Sequence, residues 1–272
     1  APVVLLGTEG ADPENLAGEV IEAGVQPGGN TTENGIVMVA GDLDAIDPDA
    51  GDTENLTWSF TPQPSDYGTF SIDPDTGTWQ YLLNESDTDD SLVNQLAYGE
   101  SETESYTVVV TDSNGLTDTQ QVTITITGTN DIPELSATQS GTVTEDMIDV
   151  DPDRLVATGI LTATDVDNND VLSLDSSYND DINWQNGANA SLSAQQISDI
   201  IASFSLDNDD MGWTYDIDND LLNFLAEGDV ITLSFDVTVT DSNGAFDTET
   251  VTITINGSND GPVITPDPEN LA

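Results

Sequence analysis

Lysine, histidine and cysteine are absent from the 272-residue chain, and one arginine, Arg154, faces 53 Asp and Glu residues, for a formal net charge of −52. Each absence excludes a class of function. Binding to nucleic acid or to an anionic membrane surface needs a basic patch, and one guanidinium does not make one. Without histidine or cysteine there is no thiol or imidazole chemistry, no zinc site built from those ligands and no disulfide staple. A Lys–Asn isopeptide crosslink is excluded as well. The longest apolar runs fall far short of a membrane span, so no membrane insertion is expected, and no secretory signal is visible. Aromatic residues make up only 6% of the chain. With so much acid, that scarcity would suit a disordered polyanion.

The apolar residues that are present argue against disorder, because they are patterned. Tyr106-Thr107-Val108-Val109-Val110, Val122-Thr123-Ile124-Thr125-Ile126, Leu56-Thr57-Trp58-Ser59-Phe60 and Leu233-Ser234-Phe235-Asp236-Val237-Thr238-Val239 alternate or cluster β-branched and aromatic residues. Half-buried strands do the same. Gly, Asn and Asp clusters separate the runs, which gives an all-β reading.

Self-comparison is the most informative step. Residues 96–131 align with 225–260 at an offset of 129, with 22 identities in 36 positions. Thr111-Asp112-Ser113-Asn114-Gly115 matches Thr240-Asp241-Ser242-Asn243-Gly244, and Gly128-Thr129-Asn130-Asp131 matches Gly257-Ser258-Asn259-Asp260. Upstream, Phe70-Ser71-Ile72-Asp73 matches Phe204-Ser205-Leu206-Asp207, and Trp79 matches Trp213. Gly41-Asp42-Leu43 with Asp47-Pro48-Asp49 matches Gly159-Ile160-Leu161 with Asp165-Val166-Asp167. The reading is therefore two repeats, 1–131 and 132–260. A third begins at 261–272, because Asp267 to Ala272 repeats Asp12 to Ala17 letter for letter. A piece of a longer array is expected, with neighbouring repeats of the same chain as the partners.

Each repeat holds about seven strand-like runs, the size of an immunoglobulin-like sandwich. Trp79 and Trp213 read as core plugs, with a ligand platform as the alternative. Ser193-Ala194-Gln195-Gln196 followed by Ile197, Ile200, Ile201 and Phe204 predicts a short helix near 192–202 in the second repeat. Shorter helical turns are expected at 91–96 and 220–225.

Asp outnumbers Glu 38 to 15. Asp is the shorter oxygen ligand and a turn former, so the bias points to loops that hold hard cations. The clusters are Asp47-Pro48-Asp49-Ala50-Gly51-Asp52, Asp165-Val166-Asp167-Asn168-Asn169-Asp170, Asp207-Asn208-Asp209-Asp210 and Asp216-Ile217-Asp218-Asn219-Asp220. In extended chain, Asp-x-Asp aims two carboxylates to one side. None of the clusters has the spacing of an EF-hand loop.

The order Glu22, Asp47-x-Asp49, Phe70-x-Ile72-Asp73-Pro74-Asp75-Thr76-Gly77, Asp112-Ser113-Asn114-Gly115 and Asn130-Asp131-x-Pro133 resembles a cadherin repeat. The Leu96-Ala97-x-Gly99-Glu100 block and the Gly-Thr-Asn-Asp ending look even more like VCBS-type repeats of large bacterial RTX-type surface adhesins. The resemblance implies two tandem immunoglobulin/cadherin-like β-sandwiches joined end to end, with Ca2+ held where repeats meet. Motif by motif it implies a site of Glu22, Glu85, Asn130, Asp131, Asp165, Asp167 and Asp241. It also assigns Asp47, Asp49 and Asp112 in the first repeat and Glu145, Asn259 and Asp260 in the second. Here Gly128 and Ile132 stand where the cadherin linker has Asp and Asn, which implies one or two ions per site rather than three. Other readings of the same residues stay open. In these readings Asp112 and Asp241 open hairpin turns, Asn130 and Asn259 end strands, and the Asp-rich loops are simply solvated.

The function expected from this is a spacer: calcium-rigidified extender repeats of an exported bacterial adhesin, secreted or on the cell surface, acting in adhesion or biofilm formation. A glycan or cell-surface ligand would then be the business of a distant tip domain. The alternative is a calcium-dependent carbohydrate-binding module, with Trp184 in Asn183-Trp184-Gln185-Asn186-Gly187 as its platform; core or edge packing is the competing role for that Trp. Catalysis is not expected, since only a carboxylate-pair glycosidase could be run with these residues and near-copies in tandem suit spacing better. Halophilic adaptation would also account for the acidity.

Overall fold

The computed structural model describes residues 1–5, 16–49, 51, 53–84, 91–147, 153–185, 191–208 and 211–262. The chain divides into two compact units. The first holds Ala1–Pro133 together with two short segments, Asp165–Val171 and Asp241–Phe246. The second holds Glu134–Thr164, Leu172–Thr240 and the described part of Asp247–Ala272.

In the first unit the strands are β1 (Val3–Val4), β2 (Ala17–Ile21), β3 (Gly24–Val25), β4 (Thr32–Glu33), β5 (Met38–Asp42), β6 (Ala45–Ile46), β7 (Thr57–Phe60), β8 (Gly68–Ile72), β9 (Thr78–Leu83), β10 (Ser101–Thr111) and β11 (Thr117–Thr127). One sheet runs β2-β11-β10-β7 and the other β5-β9-β8, with small pairs β1-β6 and β3-β4. The second unit has β12 (Glu134–Ala137), β13 (Ser140–Thr144), β14 (Arg154–Thr164), β15 (Ser173–Tyr178), β16 (Asn183–Gln185), helix α1 (Ala194–Ala202), β17 (Phe204–Asp207), β18 (Gly212–Asp218), β19 (Val230–Thr240) and β20 (Phe246–Asn256). Its sheets run β13-β20-β19-β15 and β12-β14-β18-β17, and β16 adds to β19. The main sheets correspond, β2-β11-β10-β7 to β13-β20-β19-β15 and β5-β9-β8 to β14-β18-β17, and each unit has a parallel pairing, β2 with β11 and β13 with β20.

Period-two burial explains the sheets. On β10, Tyr106, Val108 and Val110 face inward, and on β11 Val122, Ile124 and Ile126 do, all 3% exposed or less. β19 and β20 repeat this with Leu233, Phe235, Val237, Val239, Val251, Ile253 and Ile255. Alternation of this kind fixes register, since a one-residue slip would turn the whole set to water.

Trp79 and Trp213 are core plugs, 0% and 1% exposed. Each lies opposite a glycine in the neighbouring strand, Trp79 facing Gly41 and Trp213 facing Gly159. A Cβ on Gly41 would stand 2.6 Å from the Trp79 ring, and one on Gly159 would collide with Trp213. Gly18 and Gly141 cradle the far ends of the two rings. Phe70 stacks between Trp79 and Tyr106, with centroids at 5.8 and 4.3 Å, and Phe204 stacks between Trp213 and Phe235 at 5.9 and 4.1 Å.

The repeats differ where β10 carries Glu104 and β19 carries Leu233. In the first unit Tyr81 and Tyr106 donate their hydroxyls to Glu104 Oε2 at 2.8 and 2.7 Å. In the second, Tyr215 donates to the Ile200 carbonyl of α1 at 3.0 Å. The expected helix is thus present, opened by the Ser193/Gln196 capping box. The stretch 91–96 forms turns, with Leu96 N–H donating to Val93 O three residues back. Near 220 a single 3-10 turn, Asn219–Leu221, leads into further turns. Trp184 packs edge-on to Phe224, centroids 5.3 Å apart, and joins the core of its unit. Asn186-Gly187, Asp209-Asp210 and the expected third repeat from Val263 onward lie outside the described residues.

Candidate cation site

In the first compact unit, an acidic cluster forms from the linker Asn130-Asp131 and the two short segments that pack there. The Asp241 hairpin is built by one of its own carboxylate oxygens. Oδ1 accepts the N–H groups of Asn243, Gly244 and Ala245, and Gly244 takes the φ of +95° that the turn requires. The other oxygen, Oδ2, accepts from Asn130 Nδ2 at 2.7 Å. Asp112 does the same in its own hairpin, Oδ1 accepting from Asn114 and Leu116 N–H at 2.8 Å each. Turn former and cation ligand are therefore compatible roles: one oxygen shapes the loop, and the second stands outside it, buried without a hydrogen-bond partner in Asp112 and bonded to Asn130 in Asp241.

Segment 165–171 is likewise held by half of its acceptors. Asp165 Oδ1 accepts Asp167 N–H at 2.9 Å, Asp167 Oδ2 accepts Asp131 N–H at 2.8 Å, and Asp170 Oδ1 accepts the Ser242 hydroxyl. Asp165 Oδ2, Asp167 Oδ1, Asp170 Oδ2 and Asn130 Oδ1 remain buried with no hydrogen-bond partner. Asn130 is 0% exposed. Oxygen atoms from Asp165, Asp170 and Asp241 all lie within 4.8 Å of one another.

Buried polar atoms are normally paired, and carboxylates this close repel one another. Burial, then the charges of Asp131, Asp165 and Asp170, pushes Asp167 up to about 7. Burial, then Asp170 and Asp241, pushes Asp165 up to about 6. The chain's one arginine is engaged elsewhere, Arg154 Nε standing 2.8 Å from Asp216 Oδ1. The donor set is oxygen only: carboxylates plus an amide carbonyl. It fits a hard divalent cation.

Of the residues expected at this site, Asn130, Asp131, Asp165, Asp167 and Asp241 are linked by the hydrogen bonds above. Glu22, 1% exposed, reaches the linker through Thr129 N–H at 3.0 Å. Glu85 lies outside the described residues. The remaining expected ligands reproduce the same local patterns. Asp49 N–H donates to Asp47 Oδ1 at 2.8 Å, as Asp167 does to Asp165. Glu145, 0% exposed, accepts Ser258 N–H at 2.9 Å, as Glu22 accepts Thr129. Burial, then the charges of Asp260, Asp146 and Asp229, raises the Glu145 carboxyl above its ordinary range. Asn259 Nδ2 donates to Asp260 O at 3.3 Å, as Asn130 does to Asp131 at 2.8 Å.

Sequence reasoning did not assign Asp170. The signal was there in the shared spacing Asp-x-Asp-x-x-Asp at 165, 167 and 170 and at 47, 49 and 52.

Residues 22–128 match the family model of the bacterial cadherin-like domain. No curated protein matches the chain. Among solved structures, PcdhgB3 EC1-4 is 13% identical, with a TM-score of 0.45 over 94% of this chain and 49% of that one. Mouse cadherin-23 EC22-24 is 15% identical, with a TM-score of 0.39 over 90% and 63%. Human mucin-like protocadherin EC1-2 is 16% identical, with a TM-score of 0.41 over 94% and 98%. This chain therefore spans about half the length of the first of them. Residues 22–128 are thus similar to a bacterial cadherin-like domain, and the strand layout makes each of the two units an immunoglobulin-like β-sandwich. It is an all-β architecture not associated with catalysis.

Proposed function

We propose that the chain is a pair of calcium-binding spacer repeats from a large exported adhesin of the RTX/VCBS type. One observation carries the reading: the convergence of Asp165, Asp170 and Asp241 around buried oxygens that lack hydrogen-bond partners. Each bound Ca2+ would cancel two charges where they are densest and tie together loops that do not otherwise share a strand. Asp165–Val171 and Asp241–Phe246 continue in sequence into β14, β15, β19 and β20, so holding them limits the freedom of the chain on either side. In a protein without disulfides, metal binding is an available staple.

Extracellular calcium modules typically have Kd values of about 10⁻⁴ to 10⁻³ M. The chain would then be soft at cytosolic calcium and stiffen outside the cell. Secretion and display at a bacterial surface belong to the same reading. Among the described residues no helix is long and apolar enough to cross a membrane. Calorimetric titration should give millimolar-range binding, and small-angle scattering should show a larger maximum dimension in calcium than in EDTA. Identical scattering profiles in the two conditions would refute the spacer role. The carbohydrate-binding alternative gains no support from Trp184, whose ring packs against Phe224.

A further inference from the structure

The β3–β4 hairpin lies in a stretch of sequence that is longer in the first repeat than in the second. Gly41 lies nineteen positions after Glu22, whereas Gly159 lies fourteen positions after Glu145. In the first repeat this stretch includes Gln26-Pro27-Gly28-Gly29-Asn30-Thr31, which turns back on itself through Gln26 N–H donating to Thr31 O at 2.8 Å. Gly28 and Gly29 supply φ values of +95° and +149° at that turn.

The hairpin touches the cation cluster at both of its ends. At its base, Val25 N–H donates to Asn130 O at 2.7 Å. At its tip, Gly28 N–H donates to Asn243 O at 2.7 Å. Asn30 clamps the backbone of Phe246 from both sides: Nδ2 donates to Phe246 O at 2.7 Å, and Oδ1 accepts Phe246 N–H at 2.9 Å. A Cβ placed on Gly244 would be 3.1 Å from Gly28 Cα, so the two turns pack glycine on glycine.

We infer that this hairpin, through Asn30, is a cation-independent latch that holds the Asp241 loop in ligating position. The inference rests on the calcium reading of the site. Every group in the latch is a neutral amide or backbone, so its hydrogen bonds neither need the ion nor compete with it. Without the ion, Asp165, Asp170 and Asp241 repel one another, and the latch opposes that repulsion. Apparent affinity falls in proportion to the population of the binding-competent state. A loop already docked binds at its intrinsic Kd, and a loop that drifts away binds more weakly by the fraction of time it is absent. Asn30 is thus a positioning residue. Its side chain is exposed and clear of both cores, so its removal leaves the folded units intact.

The test compares the full chain with Asn30→Ala, using terbium luminescence and calcium titration for affinity and amide exchange in EDTA for the latch itself. Asn30→Ala removes two hydrogen bonds and is expected to weaken calcium binding about tenfold. It should also speed exchange of the Phe246 amide in EDTA. Asn30→Asp keeps the acceptor for Phe246 N–H but loses the donor, and should fall between the two. Gln26→Ala, in the same hairpin but bonded through its side chain to Glu33 alone, should leave affinity unchanged. If the unaltered chain binds calcium and Asn30→Ala binds within twofold of it, with the Phe246 amide equally protected, the latch is wrong. If the unaltered chain binds no calcium at millimolar concentration, the site reading fails, while the exchange comparison in EDTA still reports on the latch.

Discussion

Calcium affinity at this site should depend on pH far above the range where carboxylates ordinarily titrate. Asp165 is pushed up to about 6 and Asp167 up to about 7, chiefly by burial, with Asp131, Asp170 and Asp241 adding negative charge around them. Both carboxyls lie above their unfolded values, so the fold favours their protonated forms. In the metal-free protein their contribution to stability is fully present below about pH 4 and is lost as pH rises through 6 and 7. Calcium competes with those protons and gains over the same window. At pH 5 a group of pKa 6 is about one-tenth ionised and one of pKa 7 about one-hundredth, so independent titration would weaken binding about 10³-fold relative to pH 8. The two carboxyls share a site and titrate as a pair, so about 10²- to 10³-fold is expected. Carboxylates at ordinary values near 3.9 would give only about a 1.2-fold change. Titration calorimetry at pH 8, 6.5 and 5, in buffers of different ionisation enthalpy, measures both the Kd and the protons released. A Kd that moves less than twofold between pH 8 and pH 5 would refute the reasoning.

Two substitutions probe the site and the core separately. Asp170→Asn keeps the acceptor for Ser242 but replaces the orphaned oxygen with an amide. It should weaken calcium about tenfold or more while raising metal-free stability by about 1 kcal/mol, through loss of like-charge repulsion. Those opposite signs separate a ligand from a merely structural carboxylate, and thermal melts with and without EDTA read them. Gly159→Ala drives a methyl into the Trp213 ring and should destabilise the second unit by about 1–3 kcal/mol, measured by denaturant unfolding.

The sandwich architecture, the tryptophan plugs and the helix could be read from the residues because each rests on local periodicity. Alternation on β10 and β19 and the capping box at Ser193 are signals carried by neighbouring positions. The pairing of Trp79 with Gly41 and of Trp213 with Gly159 was half visible, since the duplication aligns all four residues, but only the register shows why glycine is needed. The site was legible as motifs and not as geometry. Asp131 N–H on Asp167 joins chain segments 36 residues apart, and Asn130 on Asp241 joins segments 111 apart. Nothing in the local pattern encodes those distances. The Asn30 clamp on Phe246, 216 residues away, was missed because its residues look like any polar turn. The stretch 91–96, expected to form helical turns, folds as turns that place Val93 and Leu96 in the core.

The divergence at Glu104 shows that the two repeats are not interchangeable even where they align. Tyr81 and Tyr215 are equivalent, both 0% exposed, and each must place a hydroxyl. The second unit meets that need with a helix carbonyl, which leaves Leu233 free to be apolar. The first has no such helix among its described residues and meets it with Glu104, which also takes the Tyr106 hydroxyl and the Ser65 hydroxyl. Burial, then the bond to Glu104, raises both tyrosines well above their ordinary range, so both stay donors throughout the physiological range. Glu104→Leu copies the second repeat and should fail, because it orphans two buried donors at about 1–3 kcal/mol each. A loss of about 2–4 kcal/mol is expected in denaturant unfolding of the first unit. Adding Tyr106→Phe, the residue found at position 235, removes one orphan and should recover about 1 kcal/mol. A neutral Glu104→Leu would mean that water replaces the carboxylate at no cost and that the two cores are equivalent after all.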